Sequence, residues 1–265
     1  LIRVTADTAN ARGISSSTPQ PINDVEILAG SGNMSLTGGM NNITFDNAYS
    51  GTWNAGTLTA FGNVILSNQM HTSSSETLTM TAVGGDKVLN VAGTTFDKPL
   101  TINTTNKIDV IGGDLTTGQT DTSRTLTLTQ GTLDLNGNDL MFGNLSSGNT
   151  NTRAFLATNS TITIYGVGTN ALNFNSVDTG LTLEIEGTVV NFTSTGGART
   201  FGMGGSAYIW PQVNVWAGSG AFTINGGVFD HLFFHPDFSG TIGNNFQLTF
   251  RGSLEFSPNM VIPDN

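Results

Sequence analysis

The chain has 265 residues, of which 34 are Gly, 40 Thr and 28 Asn, while charged residues make up only 11%. Thr, Asn and Gly are poor helix formers, so this composition excludes a mainly helical protein, and 37% hydrophobic residues with 16 Phe exclude a disordered chain. The net charge of −10 excludes nucleic acid as a partner, the absence of Cys excludes disulfides, and the lack of a long apolar run excludes membrane insertion.

The N-terminal residues predict a connecting segment. Residues 15–21 contain three Ser, one Thr and two Pro, a composition typical of a linker. We therefore expect residues 1–21 to form an N-terminal connecting segment. The chain begins at Leu1 without Met and without the basic and apolar regions of a signal peptide, which predicts a segment of a longer or processed protein.

Short runs that alternate apolar side chains with Thr or other polar residues recur along the chain. Their first apolar residues are Leu58, Leu78, Leu100, Leu126, Ile162, Leu181, Phe222 and Leu248. This alternation is the period of a half-buried strand, with the apolar side chains inward and Thr outward. Gly or Asn follows nearly every run, as expected at turns.

The spacing of these runs predicts a repeating fold. Five of the seven separations are close to 20–26 residues, and the other two, 36 and 41, require an inserted loop or a double unit. Units of this length cannot bury a face alone, so we predict an all-β fold, a β-solenoid (β-helix) of stacked coils with a shared core. The alternative is a β-sandwich, which would need longer strands at a shorter spacing.

The aromatic residues are concentrated at the C-terminal end. Residues 201–265 hold 12 of the 22 aromatic residues. We therefore predict a solenoid shaft over residues 22–200 and an aromatic-rich C-terminal β region over residues 201–265. That region is either a wider end of the solenoid or a distinct module.

Two repeated motifs favour structural interpretations over metal binding. The pairs Phe45-Asp46, Phe96-Asp97 and Phe229-Asp230 predict a Phe in the core followed by an Asp that accepts backbone N–H bonds at a corner. Residues 134–139 superficially resemble a calcium loop, but their Gly is at the fourth position, and Asn136-Gly137 predicts a tight turn instead. We expect no metal and no cofactor.

The segment from His231 to Asp237 is the richest in chemical groups. His231 and His235 are four residues apart, but Pro236 and the two Phe between the histidines predict an extended strand. Residues four apart on a strand share a face at a separation of about 13 Å, too far for one metal ion. This spacing argues against a metal site, and the alternative is an ordinary strand with no ligand. Because the segment is so rich in polar groups, we name His231, His235 and Asp237 as candidate ligand-binding residues.

Exposed aromatic residues are the other candidates for ligand binding. Tyr208, Trp210 and Trp216 would offer flat faces to sugar rings, with Gln212 and Asn214 nearby as hydrogen-bonding partners. The alternative is that the two Trp pack inside the protein or at a subunit interface.

Glu184 and Glu186 are the candidate carboxylate pair for glycoside cleavage. They alternate on one predicted strand, so they share a face at a separation of about 7 Å, which is permissive for an inverting mechanism. An outward pair on such a strand is more often solvated surface. No nucleophile elbow, phosphate loop or zinc-protease motif is present, so we assign no catalytic residue.

Strand-like stretches rich in Thr, Gly or Asn occur at Thr95–Ile102, Thr127–Gly137 and Ala198–Tyr208. These stretches resemble phage tail-fibre and tailspike proteins with β-helical shafts, and the last of them is similar to a motif of marine-phage proteins. The resemblance covers roughly residues 90–255 and implies an extracellular virion appendage. It also implies a homotrimer that contacts other virion tail proteins and a host surface.

The function we expect is structural and adhesive. A virion fibre or spike segment would act as a rigid spacer, and its weakly charged Thr and Asn surface would bind host polysaccharide. One alternative is a polysaccharide depolymerase on the same fold, and a second is a bacterial surface or autotransporter adhesin.

Overall fold

The computed structural model of the chain consists of β-strands joined by turns and short loops. It describes residues 1–5, 12–16, 23–73, 75–118, 122–174, 180–203, 208–244 and 248–263. Strands are the only regular elements within these ranges. None of the described segments is a helix long and apolar enough to cross a membrane.

The strands are short and follow one another closely. Those of the first half are β1 (Ile2–Thr5), β2 (Arg12–Ser15), β3 (Val25–Leu28), β4 (Met34–Met40), β5 (Ile43–Phe45), β6 (Thr52–Ala55), β7 (Leu58–Ala60), β8 (Val64–Ile65), β9 (His71–Thr72), β10 (Leu78–Met80), β11 (Lys87–Asn90), β12 (Leu100–Ile111), β13 (Leu115–Thr116) and β14 (Thr125–Asp134). Those of the second half are β15 (Leu140–Phe142), β16 (Asn144–Ser146), β17 (Arg153–Leu156), β18 (Thr161–Ile164), β19 (Gly168–Phe174), β20 (Leu181–Glu184), β21 (Val189–Phe192), β22 (Arg199–Met203), β23 (Ile209–Val215), β24 (Phe222–Asn225), β25 (Val228–Phe234), β26 (Ile242–Asn244), β27 (Thr249–Phe250) and β28 (Leu254–Glu255).

These strands pair in parallel and form three faces of one stack. Face 1 consists of β1, β3, β5, β8, β11, the C-terminal halves of β12 and β14, β17 and β20. Face 2 consists of β2, the N-terminal half of β4, β6, β9, β13, β15, β18, β21, β23, β25 and β28. Face 3 consists of the C-terminal half of β4, β7, β10, the N-terminal halves of β12 and β14, β16, β19, β22, β24 and β26.

The predicted β-solenoid is therefore confirmed, with about ten turns. Between β9 and β13, residues 95–97 bridge face 2: the backbone N–H of Phe96 donates to the carbonyl of Thr116 at 2.7 Å, and Oγ1 of Thr72 donates to the carbonyl of Thr95 at 3.1 Å. At the C-terminal end, β27 extends the stack by pairing with the start of β25. Each turn thus adds a layer of backbone hydrogen bonds on every face, which is how a fold built from units of this size gains stability.

Face 3 contains the alternation that the sequence predicts. Its inward column contains Leu58, Leu78, Leu100, Leu126, Leu145 and Leu172, all buried and paired turn by turn. The next residue in each strand points outward, and in four successive turns it is a threonine: Thr59, Thr79, Thr101 and Thr127. Inward Leu and outward Thr thus repeat with each turn.

The two long gaps in the predicted spacing have a topological cause. Ile162 belongs to β18 on face 2, and Leu181 belongs to β20 on face 1. Neither residue is therefore part of the inward leucine column of face 3. The true neighbours of Leu126 on face 3 are Leu145 and then Leu172. No double unit is needed.

The N-terminal strands belong to the same stack. β1 pairs with β3, and β2 pairs with β4. Both β1 and β2 lie within residues 1–21, which the sequence predicts as a connecting segment. Residues 17–21 of the expected linker lie outside the described residues. The three-part division of the chain stays a prediction.

The core changes from aliphatic to aromatic towards the C-terminal end. Phe155 contacts Phe174, and Phe174 contacts Trp210, with ring centroids 5.8 and 6.2 Å apart. Phe201 then meets Trp210 edge-on at 5.2 Å and lies 5.2 Å from Phe229. Because these rings come from strands paired in register, the aromatic cluster fills the same core as the leucines do.

The repeated Phe-Asp pairs place their Phe residues in the core, but their Asp residues have different partners. Asp46 accepts the backbone N–H of Ala48 at 2.8 Å, as predicted for a corner. Asp97 instead pairs with Arg124, and Asp230 lies 3.6 Å from Arg251. In this motif, Phe therefore always packs in the core, whereas Asp either accepts a backbone hydrogen bond at a corner or pairs with an arginine.

Lys98 is a fully buried cation in the central turns. Its Nζ lies 4.6 Å from the centre of the Trp53 ring. Burial and, to a smaller extent, the neighbouring charge of Arg124 lower the pKa of Lys98 to about 8. The cation–π contact offsets part of the free-energy cost of removing the charged amine from water. The part of this cost that is not offset lowers the pKa.

Candidate functional site

The outward surface of face 2 near the C-terminal end gathers aromatic and amide side chains. β23 contributes Gln212 and Asn214, and Trp216 follows directly after it. β25 contributes His231 and Phe233, which are in register with Gln212 and Asn214 respectively. Neighbouring turns are about 4.8 Å apart and alternate residues of a strand about 6.7 Å apart, so these side chains form a compact two-row array.

Trp216 and His235 form a stacked pair at one end of this array. Their rings stack with centroids 5.3 Å apart and an interplanar angle of 22°. The indole nevertheless keeps 44% of its surface exposed, and Phe256 keeps 50%. We name Trp216, Phe233, His235 and Phe256 the aromatic platform. Together with Asn214 and Glu255, they line a groove of about 340 Å³.

A chain of amide hydrogen bonds supports the platform from one side. Nε2 of Gln212 donates to Oδ1 of Asn214 at 3.0 Å, and Nδ2 of Asn214 donates to Oδ1 of Asn191 at 2.8 Å. The same Asn191 oxygen accepts Nε1–H of Trp216 at 3.3 Å. These bonds fix the position of the indole.

The two histidines both use Nδ1 as an acceptor. The backbone N–H of Asp237 donates to Nδ1 of His235 at 3.2 Å, and the backbone N–H of Ser253 donates to Nδ1 of His231 at 3.3 Å. A neutral imidazole that accepts at Nδ1 carries its proton on Nε2. Both rings therefore have an Nε2–H donor for a ligand. Within the described ranges, no three His, Asp or Glu side chains lie close enough together to hold a metal ion.

The structure brings four of the six predicted ligand-binding residues to this face. Trp216, His231 and His235 belong to the array, and Asp237 lies in the hydrogen-bonded turn that directly follows β25. Trp210 is instead fully buried among aromatic rings, so for this residue the alternative of packing inside the protein applies. Tyr208 lies on the neighbouring surface, where its hydroxyl donates to the Leu181 carbonyl.

Sequence reasoning missed several residues of the site. Asn191 and Glu255 were not singled out, and neither was Phe256. The shared pattern Val190-Asn191-Phe192 and Val213-Asn214-Val215 was the available signal for the amide ladder, because it places an Asn at the same outward position of successive turns. Glu255 and Phe256 come one turn later and carry no such signal.

A second groove lies beside Tyr208 and gathers acidic residues. Glu184, Glu186, Asp230 and Arg251 line it with Tyr208, and its volume is about 520 Å³. Both glutamates are exposed, and Arg251 lies 3.6 Å from Asp230. We name these five residues the acidic groove. It places the predicted carboxylate pair in a concave surface.

The comparisons with known proteins identify no relative. No family model, no curated protein and no solved structure matches the chain. What the residues establish by themselves is a β-solenoid with an aromatic platform on face 2 and an acidic groove next to it. The function is therefore inferred from the chemistry of these two surfaces.

Proposed function

We propose that this chain is a non-enzymatic segment of an extracellular virion appendage, a phage tail fibre or spike, that attaches to carbohydrate on a host surface. The observation that carries the proposal is the aromatic platform at one end of a long, weakly charged stack of turns. The resemblance of the sequence to such fibres supports the virion setting, the homotrimer and the contact with other tail proteins.

The chemistry of the platform fits a neutral sugar. Apolar faces of sugar rings pack on aromatic rings, which here are Trp216, Phe233 and Phe256. Sugar hydroxyls need both donors and acceptors, and Nε2–H of His235 and the carboxylate of Glu255 supply one of each. The groove volume of about 340 Å³ lies near the lower end for ligand pockets, which suits one or two sugar units of a longer chain.

The central turns fit the role of a spacer. Their buried leucine column and parallel hydrogen-bonded ladders repeat with each turn, so stiffness and stability grow with the number of turns. Their outward Thr side chains carry no charge, so successive turns do not repel one another.

The test is binding of host-surface polysaccharide to the whole chain. We expect a capsular polysaccharide or lipopolysaccharide from a susceptible host to bind, and Trp216→Ala to weaken that binding at least tenfold. The matched control is Thr163→Ala, an outward substitution on β18 of the same face, which should bind as the wild type does. Equal binding by Trp216→Ala and wild type would contradict the proposal.

The acidic groove favours a second candidate function, a polysaccharide depolymerase. Glycoside cleavage needs two carboxyl groups on either side of the bond, and Glu184 and Glu186 line one groove. Release of short oligosaccharides by the wild type, abolished by Glu184→Gln but retained by Trp216→Ala, would replace the adhesive proposal with this one. A bacterial adhesin would use the same platform, and a membrane-anchoring region in the full-length gene would identify it.

A further inference from the structure

Arg199 is a buried cation whose guanidinium is only partly hydrogen-bonded. It begins β22 and has no exposed surface. Its side chain lies in the aromatic core, with Cζ 5.4 Å from the ring centre of Phe238 and 6.0 Å from that of Phe222. Burial lowers the pKa of Arg199 below its ordinary value, but a guanidinium stays charged in proteins. The core therefore contains a full positive charge.

The hydrogen bonds of this guanidinium leave one edge without an acceptor. Nη1 donates to the carbonyl of Ser194 at 2.6 Å. Among the described residues, Nε and Nη2 have no hydrogen-bond partner and no carboxylate pairs with Arg199. Nε–H and one N–H of Nη2 point the same way, so together they form the edge that takes two oxygens of one anion.

The same chain shows what such an edge binds. In Arg124, Nε lies 2.8 Å from Oδ1 of Asp97 and Nη2 lies 3.5 Å from Oδ2, so a carboxylate occupies the edge. In Arg153, also fully buried at the start of a strand, Nε donates to the carbonyl and the hydroxyl of Ser147. Arg199 is buried as deeply as Arg153 but lacks both kinds of acceptor at this edge.

We propose that the Nε–Nη2 edge of Arg199 is an internal binding site for a small carboxylate-type anion, one that presents two oxygens side by side. A buried charge without a counter-charge is strongly destabilising, and a bidentate anion supplies both the charge and the two missing acceptors. The preceding loop, residues 195–198, is exposed, so the buried guanidinium lies close in the chain to a solvent-facing segment.

The first test is the thermal stability of the whole chain in sodium formate against sodium chloride at equal ionic strength. An anion that binds only the folded state raises the melting temperature in a saturable way. We expect this rise for formate in the wild type and its loss in Arg199→Lys, which keeps the charge but not the two-nitrogen edge. Arg153→Lys is the matched control and should keep the formate dependence. Equal effects of formate and chloride on the wild type would overturn the proposal.

A second measurement does not depend on how well a variant folds. Crystals of the wild-type chain soaked in bromoacetate should give an anomalous bromine peak beside Arg199, with the carboxylate within hydrogen-bond distance of Nε and Nη2. Ordered water at this edge after the soak, with no bromine peak, would refute the anion site.

Discussion

The central turns and the C-terminal turns fill the same solenoid core with different side chains. In the central turns, face 3 repeats Leu58, Leu78, Leu100 and Leu126 at equivalent inward positions. In the C-terminal turns the equivalent column contains Phe201 and Ile224. Rings from all three faces meet there, because Phe174 of face 3 contacts Phe155 of face 1 and Trp210 of face 2. The backbone pairing is parallel in both regions, and the register is interrupted in each, between β12 and β14 and between β19 and β22. The main difference between the two regions therefore lies in the side chains.

On the proposed function, this difference separates a spacer from a binding end. In four successive central turns, inward leucines are accompanied by outward threonines, which gives face 3 a repeating, uncharged surface. Aromatic residues vary from turn to turn, and three of them, Trp216, Phe233 and Phe256, reach the surface beside fixed amides. The proposal thus places recognition where the repeat is least regular.

The largest expected effect distinguishes the two tryptophans of the C-terminal turns. Trp210→Ala should lower the free energy of unfolding by about 3–5 kcal/mol, because it removes a fully buried ring that contacts Phe174 and Phe201. Trp216→Ala should cost less than about 1 kcal/mol, because its ring is largely at the surface. Chemical denaturation of both variants measures the contrast. Equal losses would mean that Trp216 is a core residue and the platform is misassigned.

The next effect concerns Lys98 of the central turns, whose burial makes the stability of the folded chain depend on pH. Its pKa is about 8 in the folded chain and 10.5 when exposed, so between these values the unfolded state binds more protons. Stability should therefore rise by about 3 kcal/mol as pH rises from 8 to 10.5.

Lys98→Met provides the control for this pH effect. The variant should lose the part of the pH dependence that Lys98 causes, so the difference between wild type and variant should shrink as pH rises. Denaturation curves at several pH values measure it. A difference that stays constant from pH 8 to 10.5 would show that the amine is not buried in the folded state.

The smallest effect tests the uniformity of the spacer surface. Thr101→Val replaces an outward hydroxyl in the middle of face 3 and should change stability by no more than about 0.5 kcal/mol. It should leave carbohydrate binding unchanged. A tenfold loss of binding would place recognition on the central turns and remove the functional contrast between the two regions.

The fold was predictable from the sequence because alternation and spacing are local signals. The alternation predicts directly which side chain is inward, as in Thr77-Leu78-Thr79 and Thr125-Leu126-Thr127, where the Leu is buried. The face of each run was not predictable, because a strand on any face has the same period of two. Ile162 and Leu181 show this, since they match the pattern but lie on faces 2 and 1.

The site was predictable only in part for a related reason. Trp210 and Trp216 have the same parity in the sequence, yet one is buried and the other exposed. The alternation shifts at Pro211, after which Gln212 starts a new outward series. A shift of this kind leaves no periodic signal in the sequence. The aromatic residues were therefore found, but their orientation required the structure.

Hydrogen exchange of the wild-type chain, with and without bound host polysaccharide, tests the central claim most directly. The proposal predicts added protection in β23, β25 and residues 235–238 and 254–256, with no change in β7, β10 and β12. Protection at residues 184–186, or spread along face 3, would contradict it.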